Sequence, residues 1–449
     1  MADFRRFVKE FSFYFIISIS VVFSLTALAG RAATNLSPGT AKFLQSWMKQ
    51  GPENRFDDWM DGIVLANILY KNIDPRHSLW TYFLPSSAPS AGFELLGHVL
   101  SPDNRGALAE TIRDRKGELL HRYWTGHIAL TTLALYVYTD PAVASKLSLS
   151  CVLFSMLAFV FAWSKRSGSA GAMGMAAMLL GSGAVYMESF HTHSWGLALA
   201  FGTAAYTAKR LAAGESYVPA AVTGAVFANW LGYDYVFSTI AFSLPLFLHT
   251  ENGKLQIEDL GGPFKFTLVF LAVTALMMIL RIPVAYLFEN CPPSEFLSQL
   301  TERFAYRLHG EHLPQEIAPG AEISRRAAIL SALPAVNGYL FSLGGRFIPL
   351  IQSVASYLAY QALPVAVLMG VLVFKNSDSQ LRALRPVLVV FFSVILFHLV
   401  LIVLVNHACV HPWMHARYMV FSLVLSWGAA VSALTPSDLL SRLFSKGPQ

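Results

Sequence analysis

Charge is what this sequence most lacks: Asp, Glu, Lys and Arg supply 13% of its 449 residues, against roughly 25% in soluble globular proteins. So little charge cannot coat a water-facing surface, which excludes a soluble enzyme and a disordered chain alike. Cysteine is also scarce. Cys151, Cys291 and Cys409 are the only three, too few for the framework of a secreted disulfide scaffold. The formal charge is only +6, and the lysines and arginines flank apolar runs rather than forming a patch, which points away from nucleic acid. No internal repeat or low-complexity tract stands out, so the chain does not read as a two-halved transporter.

What fills the sequence instead is apolar: 55% of residues are hydrophobic and the mean hydropathy is +0.49. These residues gather in runs of about twenty, the length that crosses a ~30 Å hydrocarbon core as a helix. The composition predicts an all-α, polytopic membrane bundle, a single domain over 1–449. The first apolar run, from Phe11 to about Gly30, follows the basic residues Arg5, Arg6 and Lys9. It exceeds a signal-peptide core and reads as an uncleaved first helix. Further spans are expected near 143–163, 170–187, 194–208, 217–232, 234–248, 266–285, 347–374, 386–405 and 418–434, about ten in all. The pair over 217–248 is short enough to be a re-entrant hairpin.

Orientation follows from the basic residues, which stay on the cytoplasmic side. Lys165 and Arg166, Lys209 and Arg210, Lys254 and Lys265, and Lys375 with Arg382 and Arg385 all fall in inner connections. This holds only if 121–140 does not span, so that segment is expected as an interfacial helix on the outer surface, with Tyr123 and Trp124 in the headgroup zone. Two long segments then face outward, 31–142 and 286–346. Each contains a helix with an apolar stripe, Asp57 to Asn72 in the first and Phe296, Leu297, Leu300, Phe304 and Leu308 in the second. Cys291 and Cys409 are both outer in this layout.

The outer connections collect the unusual polar residues, so the active side is the outer side. Asp57 and Asp58 open a helical pattern. One Asp suffices to cap a helix. Two adjacent carboxylates repel and raise one pKa, and a carboxylate just outside the bilayer suits general-base work on a substrate hydroxyl. His191 and His193 precede a helix, where a hydrogen-bonded interfacial pair is the plainer reading. Tyr233 and Asp234 lie in the next outer turn, and His407, His411 and His415 in the last. His191, His193, Tyr233, Asp234 and His411 are candidate substrate contacts. A zinc site in the last cluster is the minor alternative, since Pro412 interrupts its spacing. Arg417 either anchors a helix by snorkelling or holds a phosphate oxygen with its planar fork, aided by His415 and Arg281. Arg281 lies deep in an apolar run, where an ionisable residue invites a functional reading.

Three stretches resemble the GT-C superfamily of integral-membrane glycosyltransferases, in particular its polyprenyl-phosphate-sugar-dependent, mannosyl- or arabinosyl-transferase-like members. They are the acidic pair Asp57-Asp58 opening a helix in the first outer loop, the turn from Tyr186 through His191 and His193 into a helix, and Arg417-Tyr418 opening a late helix. The segment Arg122 to His127 is similar to a surface helix of some bacterial relatives. The resemblance implies inverting transfer of a sugar from a polyprenyl-phosphate donor to a glycan, lipid or protein acceptor at the outer face. By it, Asp57 or Asp58 is the base, and Arg417, His415 and Arg281 neutralise the leaving phosphate. It leaves the need for a divalent metal open, because members differ. It also implies a multi-pass location in a bacterial inner membrane with the site facing the periplasm. Only about fifteen residues follow the last span, unlike oligosaccharyltransferases with their large soluble domain. The rival readings are a transporter or flippase of a lipid-linked sugar, for which His398 inside a span is the one pointer, and a histidine-dependent membrane acyltransferase.

Overall fold

A computed structural model of the chain describes residues 2–35, 37, 39, 68, 87–88, 118–119, 124, 126–138, 141–181, 194–251, 254–289, 291–309, 366–367, 369–370, 380–403, 421–422 and 424–432. They are mostly helical. In chain order the helices are α1 (Ala2–Thr34), α2 (Gly126–Val137), α3 (Pro141–Ser167), α4 (Ser169–Gly181), α5 (Ser194–Ala212), α6 (Val218–Leu231), α7 (Asp234–Ser243), α8 (Gly261–Glu289), α9 (Pro293–His309) and α10 (Gln380–Val403). A 3-10 turn, Leu244–Phe247, prolongs α7. Helical residues recur at 421–422 and 424–432. The expected helical character holds for the described residues, which also include two small antiparallel ladders: Ser87–Ala88 with Glu118–Leu119 (β1, β2), and His249–Glu251 with Lys254–Gln256 (β3, β4).

Among the described residues, three helices are long and apolar enough to cross a bilayer: Phe4–Ala33 within α1, Lys146–Ser167 within α3 and Gly261–Leu287 within α8. Each leaves a row of large apolar side chains exposed, such as Phe13 and Ile16 on α1, Phe154 and Leu157 on α3, and Leu268 and Ile279 on α8. In lipid such a row meets its own kind of solvent, so it carries none of the cost it would have in water.

The centre of the bundle is the hairpin of α6 and α7. All of α6 is buried except Thr223 and Phe227. It runs parallel to α1 in matched register. Glu10 faces Ser216 and Arg210, Ser18 Oγ donates to Thr223 Oγ1 at 3.3 Å, and Trp230 Nε1 donates to Thr26 Oγ1 at 3.1 Å. The hairpin therefore extends from one end of the bundle towards the other. Its shortness reflects its position: helices surrounded by other helices need not match the full hydrocarbon thickness themselves. Small residues permit the close packing. A side chain at Gly224 would collide with Thr203 of α5, and one at Gly196 of α5 with the Tyr235 ring of α7.

The two ends of the bundle differ in chemistry. At one end lie Arg5, Arg6 and Lys9 of α1, Lys165 and Arg166 closing α3, and Lys209 and Arg210 closing α5. Arg6 pairs with Glu10 at 3.1 Å and Arg210 with Glu215 at 2.9 Å. Gly214, at φ +65°, ends α5 with the two bonds of a Schellman cap, Glu215 N–H to Arg210 O at 2.9 Å and Gly214 N–H to Leu211 O at 3.1 Å. Arg166 donates to the carbonyls of Leu246, Phe247 and Leu248 at 3.0 to 3.2 Å, answering acceptors that the end of the α7 turn leaves without helical partners. Between the helices here, burial raises the pKa of the Tyr217 phenol above its ordinary value and the Asp259 charge adds to the rise, so the hydroxyl stays neutral.

Segment 121–140 departs from expectation. Its helix, α2, is 12 residues long, about 18 Å at 1.5 Å per residue, and it does not lie on a surface. Ile128, Ala129, Ala134 and Leu135 are buried. The polar groups of α2 face other helices instead of water: His127 meets the Leu231 carbonyl and Thr131 the Trp195 indole, while its last residues, Tyr136 and Val137, are exposed. Trp124, expected in the headgroup zone, is buried, and Trp230 is buried with it.

Candidate functional site

The end opposite Arg5, Lys165 and Lys209 holds several buried aromatic rings and the buried Arg281, with Arg31 and Lys146 exposed near the ends of α1 and α3 there. Arg281 sits on the inward stripe of α8, where Phe266, Phe270, Val273 and Met277 precede it at helical spacing and Val284 follows; all are buried. Its own exposure is 1%. Pro283, two residues on, lies inside the helix and takes one backbone N–H out of the ladder just beyond it. The guanidinium carbon of Arg281 stands 5.5 Å from the centre of the Trp124 ring, a cation–π contact that is strongest when desolvated, about 2 kcal/mol.

Trp124 is fixed from several sides. Phe23 of α1 meets it edge-on at 6.2 Å. Gly126, two residues later, presses against Trp230 so closely that a Cβ has no room. His127 Nδ1 lies 2.8 Å from the Leu231 carbonyl, and Trp195 Nε1 donates to Thr131 Oγ1 at 3.3 Å. The ends of α1 and α6, the beginning of α5 and the outer third of α8 are thereby tied together around α2. Below them, Asn229 Nδ2 donates to Ala225 O at 2.7 Å and Thr274 Oγ1 at 3.0 Å, joining α6 to α8.

Of the candidate site residues read from the sequence, Arg281 and Tyr233 have described side chains. Tyr233 is half-buried in the turn between α6 and α7 at this same end. Asp234 opens α7, and its backbone position alone is described. Asp57, Asp58, His191, His193, His411, His415 and Arg417 lie outside the described residues, as does the zinc alternative at His407. The described ends flanking those segments nonetheless share a direction. Segment 36–123 leaves from the end of α1 and returns at Trp124. Segment 182–193 leads from α4, which begins beside the basic pair Lys165 and Arg166, to the start of α5. Segment 404–420 follows α10 and precedes 421–432, a stretch that descends from Phe421, packed on Phe242, to Ser432, which accepts the Trp163 indole N–H at 2.9 Å near the basic end.

After Glu289 the chain folds back. Phe296 of α9 packs with Ala285 and Cys291 in a small separate core, with Ile282 and Leu300 beside it. Glu295, Ser298 and Glu302 stay on the exposed side, so α9 is amphipathic as expected, but of the expected stripe Leu297 is exposed, and the side chains of Phe304 and Leu308 lie outside the described ones. Among the described residues, no group of three or more His, Cys, Asp or Glu is placed to hold a metal ion.

No family model, curated protein or solved structure matches this chain.

The sequence reading missed Trp124 and Trp230 as interior residues. One signal was available: Gly126 lies two residues after Trp124, and a glycine there lets the backbone approach the Trp230 ring, where a Cβ has no room.

Proposed function

We propose that the chain is an inverting membrane glycosyltransferase of the GT-C kind, which moves a sugar from a polyprenyl-phosphate donor to an acceptor at the bundle end remote from the basic residues. One observation carries this reading. Arg281, a cation buried to 1% exposure, stands at the end from which depart the segments bearing Asp57, Asp58, His191, His193, His411, His415 and Arg417. About ten spans, with that end facing the periplasm of a bacterial inner membrane, complete the proposal, since the basic ends of α1, α3 and α5 then lie in the cytoplasm.

The chemistry assigns each group a part. Asp57 or Asp58 takes the proton of the acceptor hydroxyl, whose oxygen forms a bond to the anomeric carbon from the face opposite the donor phosphate. The bond from that carbon to the phosphate oxygen breaks, and the electron pair leaves with the polyprenyl phosphate, so the configuration inverts. Arg417, His415 and Arg281 offset the charge that develops on the phosphate, where fixed cations accelerate most. His191, His193, Tyr233, Asp234 and His411 contact the sugar or the acceptor.

The test is sugar transfer by the full chain in nanodiscs, from a polyprenyl-phosphate-linked sugar. Asp57→Asn or Asp58→Asn is expected to abolish transfer without changing insertion or thermal stability. Arg417→Ala is expected to raise the KM for donor more than that for acceptor. Full activity in both aspartate variants removes the proposed base.

A further inference from the structure

Lys165 and Arg166 are adjacent in the last turn of α3, yet their side chains part. Arg166 donates to the carbonyls of Leu246, Phe247 and Leu248. Lys165 is exposed, and its ammonium lies 5.2 Å from the centre of the Phe161 ring, one turn back along the helix. Among the described residues no carboxylate pairs with it. Phe161 is itself 65% exposed and continues the row of Leu157 and Phe154, at 66% and 74%. Phe154, Leu157, Phe161 and Lys165 recur at helical spacing and so share one face of α3. In a bilayer this face meets lipid, because α3 is long and apolar enough to span. Side chains on a helix lean toward its N-terminus, which carries the Lys165 ammonium back along the apolar row instead of out past the helix end.

We propose that this face of α3 seats an anionic phospholipid of the leaflet at the basic end, with its phosphate on the Lys165 ammonium and an acyl chain along Phe161, Leu157 and Phe154. A cation at the edge of the hydrocarbon needs a counter-charge, and with no carboxylate beside Lys165 the lipid headgroup supplies it. An ammonium has three donors, so it rests one side on the Phe161 ring, held there by cation–π attraction, and turns the others to phosphate oxygens. The ring thus fixes the charge at the top of the row on which the chain lies. A zwitterionic lipid brings the same chain and phosphate but also its own cation, which offsets the attraction, so the seat prefers a net negative headgroup. Arg166 is held by its three carbonyls and takes no part. The seat stands apart from the glycosyltransferase reading and survives its failure.

Native mass spectrometry of the detergent-solubilised full chain tests this, with phosphatidylglycerol and phosphatidylcholine of identical acyl chains as probes. Lys165→Gln is expected to weaken phosphatidylglycerol binding roughly fivefold, the contribution of one lysine at an anionic surface. Phosphatidylcholine binding and the lipid-free melting temperature are expected to stay unchanged. Lys165→Arg keeps the charge and is expected to keep the affinity. Phe161→Leu preserves the apolar row but removes the ring face, and is expected to weaken phosphatidylglycerol binding about twofold; it gives the reading by itself if Lys165→Gln proves less stable. Lys209, which closes α5, is the comparison: Lys209→Gln is expected to change phosphatidylglycerol binding less than Lys165→Gln does. Unchanged phosphatidylglycerol affinity in both α3 variants, an equal loss of phosphatidylcholine, no difference between Lys165→Gln and Lys209→Gln, or equal affinity for inorganic phosphate overturns the seat.

Discussion

Thr26 and Trp230 are joined by a hydrogen bond of 3.1 Å between helices 204 residues apart in sequence. Thr26 Oγ1 accepts from the indole and itself donates to Val22 O at 2.8 Å, so a single hydroxyl serves both α1 and α6. Trp230 is 1% exposed and has nowhere else to send its N–H. Thr26→Val, nearly isosteric, is therefore expected to destabilise the bundle by about 1 kcal/mol through the stranded indole donor. Thermal unfolding in detergent measures this; a melting temperature equal to that of the unaltered protein removes the bond from the stabilising contacts.

Gly224 and Thr203 define the closest approach of α6 to α5. A methyl group at Gly224 would meet the Thr203 side chain, which is β-branched and cannot rotate away easily. Gly224→Ala is expected to lower stability by roughly 1–3 kcal/mol, as overpacking does. Thr203→Ala in the same protein should restore most of the loss, because it removes the atoms struck. A double-mutant cycle that shows no coupling counts against this contact.

The separation of basic and aromatic ends makes a topological prediction. In a cysteine-free background, Lys165→Cys and Lys209→Cys are expected to react with an impermeant maleimide from one side of the membrane. Tyr138→Cys, at an exposed position between α2 and α3, is expected to react only from the other. Reaction of all three from one side would mean that α3 and α5 do not cross.

The helices were legible because a span of about twenty apolar residues has few alternatives in sequence, and the bounds of α3, α5, α6 and α8 fall close to those expected. The direction each helix faces was not legible. In a soluble helix polar residues mark the outward side, but in α8 both Ile279, which is exposed, and Met277, which is buried, are apolar. Only the partner helices decide between them, and that decision places Arg281 inside. Trp124 was hidden for the same reason: an indole suits a headgroup zone and a packed interior equally, and nothing in the residues around it but Gly126 distinguishes the two. The site residues read from Asp57, Asp58 and Arg417 rest on local chemistry, and the described fold adds the end of the bundle to which their segments attach.

The side-by-side, same-direction pairing of α1 with α6 also constrains how the protein is made. Ser18 and Thr223, which meet midway along it, are separated by 205 positions. At a synthesis rate of about 5–20 residues per second, the first helix waits roughly 10–40 seconds for its partner to emerge. During that interval its inward-facing hydroxyls at Ser18 and Thr26 face lipid or the insertion machinery, so the opening helix enters early and docks late.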